Sequence, residues 1–155
     1  MRVWRLSSSR YPLPDGEGAR VHPGRWNLPG IAVVYSSATL SLAVLETLVH
    51  VDSDLLPDNL ITLSADIPDH LDIKVINDHE LPPNWREYPA PEALQVIGTQ
   101  WVQRGQTAVL SVPSVVAPGE RNYLLNPAHA DFQKIKWSEP SPFKWEPRLL
   151  KKKAT

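Results

Sequence analysis

Sixteen prolines against seven glycines decide where this chain of 155 residues can be regular. Proline fixes φ and removes an amide donor, so helix interiors and central strands exclude it. Most of the prolines fall in four clusters, at 12–29, 82–91, 113–127 and 140–147. Each cluster reads as a stiff, ordered loop, a poor linker but a good wall for a site. With no cysteine, disulfides and thiolate chemistry are excluded, and stability rests on packing.

Between the prolines the chain alternates strand and helix patterns. Val3 to Leu6 reads as a short strand, followed by loop over 7–30. Ile31 to Ser36 is a β-branched run, apolar on both faces, which suits an interior strand. Thr39 caps a helix over 40–51 whose aliphatic residues cover most of the wheel. Ala43, Glu46, Thr47 and His50 alone share a narrow non-aliphatic arc, and the helix is expected to be mostly buried. Asp54 to Asn59 reads as a turn, and Leu60 to Ile67 and Asp72 to Ile76 read as strands. Pro91 to Arg104 is a helix stopped by Gly105, and Ala108 to Val112 and Tyr123 to Leu125 are strands. Phe132 to Trp137 and Phe143 to Leu150 are expected to close the sheet. No repeat or internal boundary interrupts the pattern. The fold class is α+β: a single compact domain, a mixed sheet with flanking helices, over residues 1–150, with 151–155 a disordered basic tail.

A net charge of −1 argues against a dedicated nucleic-acid binder. No apolar run approaches the roughly 18 residues of a membrane span. The start, Met1 to Leu6, lacks a signal-peptide core, so the expected compartment is the cytoplasm. The five histidines show no ligand spacing, and no metal site is expected.

The candidate residues each carry two readings. Arg5, Arg20 and Arg25 could converge on phosphate, Arg25 through the unusual Gly24-Arg25-Trp26-Asn27, or could be ordinary surface arginines. Glu46 is either a site carboxylate in an apolar helix or part of a solvent-facing stripe. Tyr35 is core packing or a flat ring for a planar base. Ser111 and Ser114 follow a strand into a Pro-rich loop and serve either turn chemistry or a ligand. There is no G-x-S-x-G elbow and no phosphate-binding glycine loop.

Their order along the chain is more specific than any one of them. Arg5, Gly18-Ala19, Gly24-Arg25-Trp26-Asn27, Gly30, Tyr35-Ser36-Ser37 and Leu42-Ala43-Val44-Leu45-Glu46 resemble the RES domain. Leu110 to Ser114 and Asn122 to His129 extend the resemblance, which covers about residues 2 to 135. The resemblance implies an ADP-ribosyltransferase-like fold and the toxin of a RES–Xre toxin–antitoxin pair. Such toxins deplete NAD+ by cleaving its nicotinamide–ribose bond. By resemblance, Arg25, Tyr35, Glu46 and Ser114 are catalytic, with Arg5, Arg25, Tyr35, Ser111 and Ser114 binding NAD+; Ser114 is preferred to Ser111 as the site serine. NAD+ is then substrate rather than cofactor, with inorganic phosphate as a candidate co-substrate. The implied partner is an Xre-type helix-turn-helix antitoxin that covers the site, makes any DNA contact and allows a homodimer within the complex.

Three other readings compete. A mono-ADP-ribosyltransferase would use the same residues on a protein acceptor. A non-catalytic binding module would not need Arg25 and Glu46. A ribonuclease is disfavoured by the charge and the absence of a basic stripe.

Overall fold

Val109–Pro113 is buried at all five positions, as a strand covered on both faces must be. It belongs to an eight-stranded sheet in a computed structural model that describes residues 1–51 and 56–150. The strands are β1 (Arg2–Ser8), β2 (Val34–Ser37), β3 (Leu60–Asp66), β4 (Ile73–Val75), β5 (Val109–Pro113), β6 (Arg121–Leu125), β7 (Lys136–Trp137) and β8 (Ser141–Pro142). The helices are α1 (Glu17–Val21), α2 (Leu40–Leu48) and α3 (Glu92–Arg104). Strand order is β4-β5-β6-β2-β1-β3-β7, with β8 also on β3. The β4–β5 pair is parallel and the other pairs are antiparallel, so the sheet is mixed.

Alternation along the central strands builds two cores. Val33, Leu110, Val112 and Leu124 face one side, where Leu94 and Trp101 of α3 join Trp26 and Trp85. Val34, Val109 and Leu125 face the other, with Val3, Ala65, Ile67 and Ile135. This is the α+β domain expected, a mixed sheet with flanking helices. None of the described helices is long and apolar enough to cross a membrane.

Several boundaries differ from expectation. β1 runs on to Ser8, and the loop over 7–30 contains α1, a single turn-and-a-half with no apolar periodicity to betray it. The strand expected from Ile31 begins at Val34, where pairing with β6 begins. Thr39 does cap α2, its hydroxyl accepting from the Leu42 amide at 3.1 Å. The helix ends at Leu48, however, and buries only Leu42 and Ala43, while Leu45 and Val49 are 41% and 56% exposed. Phe132 to Trp137 is mostly a 3-10 turn over Ala130–Lys134, leaving a two-residue β7. Phe143 to Leu150 forms no strand; Pro147–Leu149 is a 3-10 turn, and proline there denies the ladder its donor. The expected turn at Asp54 to Asn59 lies partly, and the basic tail at 151–155 wholly, outside the described residues.

Candidate active site

α2 turns its non-aliphatic arc toward a cleft, not toward bulk solvent. Ala43, Glu46, Thr47 and His50 line a cavity of about 650 Å³, walled opposite by α1, the Gly24–Trp26 segment and β2. Its size suits a nucleotide-sized ligand, since such pockets run from about 300 to 1,000 Å³.

Glu46 is fixed from two directions. Ser114 Oγ and Asn122 Nδ2 each donate to Glu46 Oε1 at 2.7 Å. Asn122 is oriented in turn by Ser37, whose hydroxyl donates to its Oδ1 at 2.8 Å; the two are register partners on β6 and β2. Ser114 is oriented by the Ala117 amide, which donates to its Oγ at 3.1 Å. Both donors therefore fall on one oxygen, and among the described residues none falls on Oε2. Ser114 is 1% exposed and stands behind Glu46, outside the cavity wall.

Gly24-Arg25-Trp26-Asn27 is a structural unit built around Tyr35. The Tyr35 hydroxyl donates to Asn27 Oδ1 at 2.6 Å and accepts from the Trp26 amide at 3.1 Å. Asn27 is fully buried, and its Nδ2 donates to the carbonyls of Ala19 and Ile31. A Cβ on Gly24 would lie 2.8 Å from the Tyr35 phenol oxygen, so only glycine fits. Burial pushes the Tyr35 phenol well above its usual range, which keeps it a neutral hydroxyl, while its ring lines the cleft. α3 holds the same segment through one face: Gln95 donates to the Gly24 carbonyl at 3.1 Å, and Thr99 accepts from the Leu28 amide at 3.0 Å. Between them a Cβ on Gly98 would meet the Trp26 carbonyl at 1.8 Å.

Arg25 projects from this unit into the cleft. Its Nη1 donates to the carbonyls of Trp85 at 2.9 Å and Glu87 at 3.1 Å. Burial lowers its pKa from the ordinary arginine value, with Glu46 first among the groups acting the other way. Arg5, on β1, also lines the cleft. Its guanidinium donates to the Tyr35 carbonyl at 3.1 Å, but its Nε is buried with no partner among the described residues. Burial lowers its pKa, opposed by Asp15. Neither Arg5 nor Arg25 forms an ion pair among the described residues. The cleft thus offers two arginines with no ion-pair partner among the described residues, one fixed carboxylate and the aromatic Tyr35. That set suits an anionic ligand carrying a centre that turns positive beside Glu46.

Arg20 stays outside, paired with Glu17 on α1. Ser111 is 2% exposed and does not line the cleft. It accepts from Arg121 Nε at 2.6 Å, and the same guanidinium bonds the Ile76 carbonyl, tying β4 to β5.

A RES domain model matches residues 2–146. The chain belongs to the RES domain family. Relatives of this RES chain include the Prs ADP-ribosylating toxin of Sphingobium sp. (strain YBL2), 38% identical with 96% of each chain covered. The Toxin Res of Yersinia enterocolitica is also 38% identical, over 96% of this chain and 99% of its own. Both relatives carry toxin names. In fold, the chain is similar to the crystal structure of the M. tuberculosis MbcT–MbcA toxin–antitoxin complex, at a TM-score of 0.74 and 15% identity, covering 96% of this chain and 86% of that one.

Of the residues singled out in the sequence, the RES fold brings Arg5, Arg25, Tyr35 and Glu46 to one cleft, with Ser114 behind Glu46. Asn122, His50, Arg86 and Tyr88 also contribute and were not anticipated as site residues. Asn122 carries no local signal, because its role depends on facing Ser37 across the sheet.

Proposed function

We propose that this chain is a toxin that cleaves the nicotinamide–ribose bond of NAD+. The observation that carries the reading is Glu46, held on one oxygen by Ser114 and Asn122, in a cleft with two arginines that have no carboxylate partner among the described residues. In this reading Arg5 and Arg25 neutralise the pyrophosphate. The Tyr35 ring packs on the nicotinamide. Nicotinamide is cationic while attached, so it leaves with the bonding electron pair and becomes neutral without an acid. The ribose carbon turns oxocarbenium-like, and the fixed Glu46 charge stabilises it. A water or phosphate oxygen then bonds to C1′ and releases its proton to solvent. Ser114 and Asn122 act through Glu46 as positioning residues.

The same reading gives the chain an antitoxin partner of the Xre helix-turn-helix type, seated over the cleft and carrying any DNA contact. The structural neighbour is a toxin–antitoxin complex, which supports an antitoxin partner. The name of the Sphingobium relative favours a second reading, transfer of ADP-ribose to a protein. Incubation of the purified chain with NAD+ separates them. Nicotinamide release without a protein acceptor supports cleavage, with ADP-ribose marking hydrolysis and ADP-ribose 1-phosphate marking phosphorolysis. Release that requires a protein acceptor supports transfer.

A further inference from the structure

The cleft has a second aromatic surface, at its mouth. His50, at the end of α2, and Tyr88, on the Pro-rich loop opposite, face one another with ring centroids 6.4 Å apart and planes tilted by 48°. Both line the cavity. Tyr88 is 80% exposed, so it is not part of the core. An exposed tyrosine has no packing reason to hold that place, and its free side-chain torsions let the ring turn parallel to a guest.

Arg25 neighbours both aromatic surfaces. Its own segment rests on Tyr35 through Gly24 and the Trp26 amide. Its guanidinium is bonded to the Glu87 carbonyl, one residue before Tyr88, and both tyrosines act on it electrostatically. A dinucleotide likewise carries phosphates linked to a nucleoside on either side.

We propose that His50 and Tyr88 form an outer base subsite, which takes the adenine ring of a dinucleotide while Arg25 holds the phosphates. The proposal rests on the NAD+ reading and adds to it the placement of the far end of the substrate. Stacking of a base on an aromatic side chain is lost when the side chain becomes alanine, so affinity reports it directly.

The test titrates AMP and, separately, nicotinamide mononucleotide into the full chain and into His50→Ala, Tyr88→Ala and Tyr88→Phe. AMP has no nicotinamide bond to cleave, so the result does not depend on turnover. The expected result is measurable AMP binding, weakened about tenfold in each alanine variant, or about 1.4 kcal/mol, and restored in Tyr88→Phe. Equal AMP affinity in all four proteins, or no AMP binding to the unaltered chain, overturns the proposal. So does a loss confined to nicotinamide mononucleotide, which would put the ring pair on the other base. The expected AMP pattern in a chain that releases no nicotinamide from NAD+ would leave the subsite standing and remove the cleavage reading.

Discussion

The Ser114 hydroxyl donates to Glu46 Oε1 at 2.7 Å across 68 residues of chain. Two segments with no sequence relation, the turn after β5 and the middle of α2, are thereby locked together at the cleft. Asn122 meets the same oxygen from β6. Among the described residues the carboxylate is held by neutral donors alone, so its charge stays available to the ligand.

Ser114→Ala should therefore lower kcat with little change in KM. A hydrogen bond to a charged group is worth about 1.5–3 kcal/mol, which corresponds to roughly ten- to hundredfold in rate. Asn122→Ala should behave alike, and the double variant should lose less than the product of the two, since both act through one oxygen. Steady-state kinetics on all three variants check this. A rise in KM at constant kcat would instead mean that these side chains contact substrate.

Gly98→Ala should destabilise the fold, against helix propensity, which favours alanine by about 1 kcal/mol. The added Cβ has no space beside the Trp26 carbonyl, and backbone is not free to swing away. Overpacking of this kind costs about 1–3 kcal/mol, occasionally more. Denaturant titration should show a lower midpoint, and because the Gly24–Asn27 unit must shift, ligand binding should fall as well. An unchanged midpoint would contradict the packing.

Tyr35→Phe keeps the ring in the cleft but removes the hydroxyl that serves Asn27 and the Trp26 amide. The variant should lose about 1–3 kcal/mol of stability, the cost of leaving a buried donor unsatisfied. At a temperature where it is folded, turnover should stay within a few-fold of the unaltered chain. Thermal unfolding and initial rates on the same sample separate the two effects.

Arg5→Leu should fold at least as stably as the parent, because a buried charge whose desolvation outweighs the Asp15 attraction is replaced by an apolar group. A ligand present at a hundred times its Kd stabilises the parent by about 2.7 kcal/mol. The variant should lose most of that ligand-induced rise in Tm when ADP-ribose is added. A lower Tm without ligand and an undiminished rise with it would make Arg5 a structural residue.

Much of this site is visible in the sequence because it is local. Gly24-Arg25-Trp26-Asn27 and the arc Ala43, Glu46, Thr47, His50 are each one element, and spacing alone groups their members. Which way α2 faces is not local. A wheel with so many aliphatic positions suggests burial all round, yet Leu45 and Val49 are exposed. Asn122 is silent for the same reason: its value lies in register with Ser37, and register belongs to the sheet. Ser111 and Ser114 are three residues apart and look equivalent in sequence. One lies on β5 beneath Arg121 and the other just past the strand end, where its hydroxyl reaches Glu46. Of the closing strands, the one expected over 143–150 is lost where Pro147 opens a 3-10 turn, and the one expected over 132–137 is cut to Lys136–Trp137 by the 3-10 turn before it.

The most direct measurement is nicotinamide release from NAD+ by Glu46→Gln. The swap keeps size and most hydrogen bonding and removes the charge. If that charge stabilises the developing oxocarbenium ion, losing about 3 kcal/mol in the transition state slows turnover roughly a hundredfold or more. Tm should hold or rise, and NAD+ should still bind through Arg5 and Arg25. A folded Glu46→Gln chain that releases nicotinamide at a near-normal rate would contradict the mechanism.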